Sequence, residues 1–214
     1  MDEPIRHLQL PLSDDVARSL RLGEIVTVTG PLFTGRSRFH IRAVEQDILP
    51  PIDFAQVNCF FHVGPVMRQW RGQWQAVSIE PTSSIRFERY AGQVVRRLGL
   101  RTLIGKTTMG PATAHALRQV GGVYLTKIGV CGSRLAPQVT KVSQVHFLDE
   151  LGKTEATWVF EVDRFGPFFV GIDAEGNNYH KQLDARTRSN MACVHRELGI
   201  PDDFDYTDVS ADRE

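Results

Sequence analysis

The chain has 214 residues, in which 25 lysines and arginines balance 25 aspartates and glutamates, and its hydrophobic fraction is 42%. That is the make-up of an ordinary globular protein of one large domain, or of a domain with an appendage. The neutral balance argues against a generic nucleic-acid surface, and no apolar run approaches the ~20 residues that span a bilayer.

The start, Met1-Asp2-Glu3-Pro4, lacks the basic residues and apolar stretch of a signal peptide. The three cysteines, Cys59, Cys131 and Cys193, are odd in number, far apart and without CxxC or Cys/His spacing. A reducing cytoplasm is the expected setting, and the chain cannot itself supply the four thiolates usual for an iron–sulfur cluster.

Ser13, followed by Asp14 and Asp15, predicts a capped helix start, with Gly23 as its stop. Residues 24–30 alternate and predict a strand, 31–34 a turn, and 37–45 a helix. Pro50-Pro51 breaks the chain. Strands are expected over 55–63 and 74–79, with a polar turn at 67–72 between them. The strongest helical pattern covers 83–98, where Phe87, Tyr90, Ala91, Val94, Val95 and Leu98 fall on one face and Gly99 is the natural stop. A short strand at 102–104 precedes a helix opened by Gly110-Pro111 and closed by Gly121-Gly122. Further strands are expected at 123–128, 140–147, 157–163 and 167–172. The pattern predicts an α/β domain with a mixed sheet over 1–180 and a helical, acidic tail over 181–214.

Three strand ends carry polar, cationic corners: Thr34-Gly35-Arg36, the run from Pro81 through Thr82 and Ser83 to Arg86, and Ile104-Gly105-Lys106. Each precedes a helix whose free N–H groups would also point there. Three fixed cations and a hydroxyl suit a small dianion. Taken singly, each feature also reads as ordinary: Thr82 or Ser83 as a helix cap, Arg86 as a solvated first-turn residue, Lys106 as a turn lysine, Arg36 as a surface arginine. The loop around Lys106 is not a P-loop, because the GxxxxGK[ST] spacing is absent. His40 follows Arg36 by four, a spacing that places both on one helix face and suits either proton handling or a structural role. His62, His115, His146, His180 and His195 form no metal-like pattern. Cys131, in a run of small residues, reads as tight packing at a helix start.

In order and spacing, these segments resemble the β subunit of the iron–sulfur hydro-lyases, the class I fumarases and L(+)-tartrate dehydratases. The family pattern GT-x-x-T-x-R-D-x-x-H aligns with residues 30–40, its GP segment with 62–65, GPTT-x-x-R-M with 80–87 and IGKG with 104–107. LGM-x-EA-x-W aligns with 151–158 and ID-x-x-GN with 172–177. Met109-Gly110-Pro111 and Phe165-Gly166-Pro167 look nearer to the tartrate dehydratase branch. The resemblance implies a swivelling β/β/α domain with flanking helices. It also implies an α-subunit partner that holds a [4Fe-4S] cluster through three cysteines, in an α2β2 or similar heteromer. Within it, Arg36, Arg86 and Lys106, with Ser83 beside them, bind the carboxylates of a small hydroxy acid such as tartrate or malate/fumarate. Thr82 matches the proton-abstracting base, and His40 ends the first motif as its helper.

Several positions depart from the pattern. Ser37 stands for aspartate, Ser83 for threonine, Thr107 for glycine and Lys153 for methionine. Glu80 stands for a glycine beside Thr82, where an unpaired carboxylate would repel a dianion and imply an altered substrate. A silent carboxylate-binding paralogue and a subunit that only covers a partner's cluster are the competing readings. The retention of Thr82, Arg36, Arg86 and Lys106 together favours chemistry.

Overall fold

The computed structural model describes residues 5–129, 131–201 and 204. The chain divides into two compact units, Met1–Tyr179 and His180–Glu214. In the first, β1 (Arg6–Gln9) leads to α1 (Asp14–Ser19), whose N–H groups begin on the Ser13 hydroxyl: Val16 N–H donates to Ser13 Oγ at 3.3 Å. There follow β2 (Ile25–Gly35), α2 (Ser37–Glu45), β3 (Cys59–His62), β4 (Val66–Trp70) and β5 (Gln73–Ser78). A 3₁₀ turn, Ser84–Phe87, runs into α3 (Glu88–Leu98), which stops at Gly99 in the left-handed region, φ 62°. Next come β6 (Thr102–Gly105), α4 (Pro111–Val120), β7 (Val123–Lys127), α5 (Gly132–Leu135), β8 (Val139–His146), α6 (Leu148–Glu155) and β9 (Thr157–Ile172).

The main sheet is mixed, in the order β1-β2-β3-β6-β7-β9-β8. β1, β2, β3, β6 and β7 run parallel; β9 is antiparallel to β7 and β8. β9 also pairs antiparallel with β2, from Ile25↔Phe169 to Phe33↔Val159. Strands β2, β3, β6, β7 and β9 therefore close a ring of hydrogen-bonded neighbours. Period-two alternation sorts the side chains of these strands into two clusters. Val28, Phe61, Ile104, Leu125, Phe160 and Val170 pack inside the ring. Phe33, Phe60, Leu103, Tyr124 and Val159 face the apolar sides of α2, α3 and α4. Each large side chain so buried contributes about 1.5–3 kcal/mol of transfer free energy.

Pro31 lies inside β2, not in a turn. β1 pairs with β2 up to Thr29 and β3 begins at Phe33, so the strand has no neighbour on that side where proline lacks its N–H. The expected turn at 67–72 is instead a hairpin: β4 and β5 pair antiparallel about Arg71 and Gly72, both with positive φ. The two strands expected over 157–172 are one 16-residue strand, bent where the pairing register shifts between Val28 and Gly30.

In the second unit, α7 (Tyr179–Leu198, beginning in the last residue of the first) buries none of its described side chains. Asp202, Asp203, Asp205, Asp208 and Asp212 lie outside the described residues. No helix among the described residues is long and apolar enough to cross a membrane.

Candidate active site

Parallel pairing brings the cationic corners to one edge. Gly35 of β2 stands beside His62 of β3, Phe61 of β3 beside Ile104 of β6, and Gly105 of β6 beside Thr126 of β7. The next residues, Arg36, Val63, Lys106 and Lys127, thus form a row across four adjacent strand ends. The alternation that puts Phe61, Ile104 and Leu125 inside the ring puts Lys106 and Lys127 on that same side, at its mouth.

Thr82 is stitched into this row. Its N–H donates to the His62 carbonyl at 2.9 Å, Pro81 bridges to Val63, and Ser83 bridges to Lys106. Ser84, a buried residue the motifs did not single out, accepts from the Lys106 N–H at 3.1 Å and donates to the Thr82 carbonyl at 3.4 Å. Gly105 must be glycine here, because a Cβ would collide with Ser84 Oγ and Tyr124 Oη. Arg86 turns back from the 3₁₀ turn, its Nε on the Ser83 carbonyl at 3.3 Å and its Nη2 on the Thr82 hydroxyl. The structure therefore gathers Thr82, Ser83, Arg86 and Lys106 into one corner, with Arg36 two strands along the same edge. Arg36 folds over Gly64, where a Cβ would strike its Cδ, and its Nη1 lies 3.8 Å from Glu155 Oε1.

His40 lies elsewhere. Arg36 is the non-helical cap of α2 (φ −131°, ψ −147°), so it does not share a helix face with His40. His40 points to the helix side of the sheet with 0% exposure, stacked on Phe87 at 4.7 Å and 5.1 Å from the equally buried His62 ring. Burial holds the His40 imidazole neutral, with a pKa lowered to about 3. His62 is lowered well below its ordinary value, by burial first and by His40 second.

Two of the helix N-termini expected to face a ligand are occupied. Glu88 accepts from the N–H groups of Gly110, Ala112 and Thr113 at 2.7–3.1 Å and caps α4. Glu155 accepts from the Arg38 N–H at 3.0 Å at the start of α2. The third, the 3₁₀ turn at Ser84–Phe87, has no side-chain cap. Cys131 is exposed rather than tightly packed, and the close contact belongs to Gly132, whose Cβ would meet Ser78 Oγ. The thiol is lowered in pKa by its hydrogen bond with Ser133 and, more weakly, by neighbouring backbone N–H groups and Lys127. Among the described residues no three His, Cys, Asp or Glu side chains converge to hold a metal, and Cys59 is buried with its pKa raised by burial. These residues do not offer a ligand set for an iron–sulfur cluster.

Glu80 does not stand free beside the site. Lys127 Nζ donates to its Oε2, so the repulsion expected from an unpaired carboxylate is cancelled. Thr107, where the family has glycine, adopts φ 64°. A β-branched residue there costs roughly 1–3 kcal/mol. Thr107→Gly is expected to stabilise the protein by about 1 kcal/mol and raise Tm by about 2–4 °C. Calorimetric melting of the two proteins checks this, and an unchanged or lower Tm counts against strain at this position.

The comparisons with known proteins agree with the motifs. A family model described as the fumarase C-terminus matches residues 4–183. The L(+)-tartrate dehydratase subunit beta of Escherichia coli strain K12 is 33% identical over 194 residues, covering 88% of this chain and 96% of that protein. A Geobacillus stearothermophilus protein named "Putative fumarate hydratase class I" is 35% identical over 186 residues, which are 86% of this chain and 35% of that longer protein. With a matched domain that takes in the whole row of cations and Thr82, this chain belongs to the β-subunit family of the tartrate dehydratases and class I fumarate hydratases.

Proposed function

We propose that the chain is the β subunit of a [4Fe-4S]-dependent hydro-lyase that reversibly adds or removes water from a small 2-hydroxy dicarboxylic acid such as tartrate or malate/fumarate. The observation that carries the reading is the contact between Arg86 and the Thr82 hydroxyl, beside Lys106 and on the strand edge that also bears Arg36. Relatives named as β subunits imply an α subunit. The cluster is assigned to that subunit, in an α2β2 or similar cytoplasmic heteromer.

Arg36, Arg86 and Lys106 bind the two substrate carboxylates, with Ser83 at the edge. Each cation–carboxylate pair at 4 Å is worth of order 4 kcal/mol at an effective dielectric of 20. Thr82 Oγ takes the proton from the carbon next to a carboxylate. An alcohol is a weak base, and the Arg86 guanidinium and Lys106 ammonium favour its alkoxide. The same cations stabilise the charge that proton loss leaves on the carboxylate. His40, neutral and buried, supports the segment from behind through His62, whose carbonyl holds the Thr82 N–H.

The test is anaerobic co-purification with the α subunit, followed by assay against a panel of hydroxy acids. Turnover is expected only with the partner and its iron. Robust turnover by the isolated chain overturns the assignment. Carboxylate binding without turnover in the reconstituted complex would instead identify a silent paralogue.

A further inference from the structure

The row of strand-end cations does not stop at the residues used above. Lys127 ends β7 abreast of Lys106, on the same side of the sheet, at the same mouth. Its side chain is 5% exposed, and its ammonium is held by Glu80, two residues before Thr82. The segment bearing Glu80 is fixed in place: Ile79 N–H donates to the Gly132 carbonyl at 2.8 Å and Pro81 bridges to Val63. The other carboxylate oxygen of Glu80 is buried and has no partner among the described residues. Lys127 is thus nearly buried while the Glu80 side chain is 31% exposed, and the two form an ion pair against the site, where the family motif has glycine at position 80.

Resting on the dicarboxylate reading of the site, we propose that Lys127 is a fourth anion-binding position. Glu80, its internal counter-ion, restricts the site to ligands with two carboxylates. Among the described residues Arg86 and Lys106 have no carboxylate partner, and Arg36 has one at 3.8 Å. Those three cations match a dianion. A third ligand carboxylate would have to take the Lys127 ammonium from Glu80, and so leave the Glu80 carboxylate unpaired beside it. Like charges brought together in a partly desolvated corner reject the wrong ligand more effectively than a missing contact does. A glycine at position 80 imposes no such rejection.

Titration calorimetry on the full chain, with succinate and propane-1,2,3-tricarboxylate as non-reacting probes, tests this. The wild-type chain is expected to bind succinate the more tightly of the two, although the tricarboxylate carries more charge. Glu80→Gln keeps the side chain's shape and releases Lys127. It is expected to raise tricarboxylate affinity about tenfold more than succinate affinity, and adding Lys127→Met is expected to abolish that gain. Tighter tricarboxylate binding by the wild-type chain overturns the proposal without any variant. So does an equal shift for both probes in Glu80→Gln, which would be a general field effect. The reading beneath it fails separately, if succinate does not bind or binds Arg86→Ala as well as wild type.

Discussion

Thr82→Ala in the reconstituted enzyme is expected to lower kcat by about 10²–10⁴-fold while KM stays within a factor of about three. In the proposed mechanism the alcohol takes the substrate carbon's proton and does not grip the carboxylates, so its loss removes a transition-state interaction alone. Arg86→Ala is expected to behave differently. Its guanidinium donates to the Thr82 hydroxyl and, in the same proposal, also binds a carboxylate. KM should rise by about tenfold or more, and kcat should fall with it. Steady-state kinetics on the two variants, with circular dichroism to confirm folding, separate the roles. Equal effects on KM from both substitutions would show that Thr82 is a binding group, and a Thr82→Ala enzyme with ordinary kcat would remove it as the base.

The second large effect is on stability below pH 6.5. His40 and His62 are held neutral in the folded chain, with pKa values lowered to about 3 and well below ordinary, respectively, while the unfolded chain protonates both near 6.5. Below that value the unfolded state binds more protons, so stability falls as the pH falls. The slope is about 1.4 kcal/mol per pH unit for each ring. Because the unfolded rings are only half protonated at pH 6.5, two rings give a loss of about 3 kcal/mol between pH 6.5 and 5, above most of the carboxylate range and set against a typical total of roughly 5–15 kcal/mol. The loss continues toward pH 3 for His40. All four ring nitrogens lack partners among the described residues, so nothing in the cluster compensates a proton. His146, partly buried, is shifted in the same direction. Urea unfolding at pH 7.5, 6.0 and 5.0 should show this acid limb. His40→Phe, which keeps the stack on Phe87, should flatten it by roughly half. An unchanged slope in that variant would mean that the histidine pair is protonated in the folded state or satisfied by ordered water.

Much of the helical layer was readable from local pattern. The apolar face of α3 and its Gly99 stop, and the Pro111 and Gly121 ends of α4, are encoded within a few residues of where they act. The corners at Arg36, Thr82 and Lys106 were readable because each sits on a strand end beside glycine or hydroxyl residues. What escaped was set by distant partners. Pro31 reads as a turn unless one knows that β1 and β3 leave a gap beside it. β4, read as part of a turn, carries too many polar and exposed residues to show alternation, whereas its partner β5 was expected. Glu88 and Glu155, which close two helix ends, look like surface acids until the chain folds. Lys127, the counter-ion of Glu80, lies 47 positions away in sequence, a pairing that no local motif reports. The shared helix face expected for Arg36 and His40 fails for a smaller reason: it assumed that Arg36 is helical, and Arg36 is the cap.

The closed ring has a consequence for how this chain is made. β9, the last strand among the described residues, supplies neighbours to β2, β7 and β8 at once. Until it emerges from the ribosome, β2 and β7 have unsatisfied edges and the apolar lining between them is open to water. Such long-range closure makes for slow acquisition of the native state and a nascent chain prone to aggregate. Expression at lower temperature, or chaperone supply, should therefore raise soluble yield more than any change to the exposed helix α7.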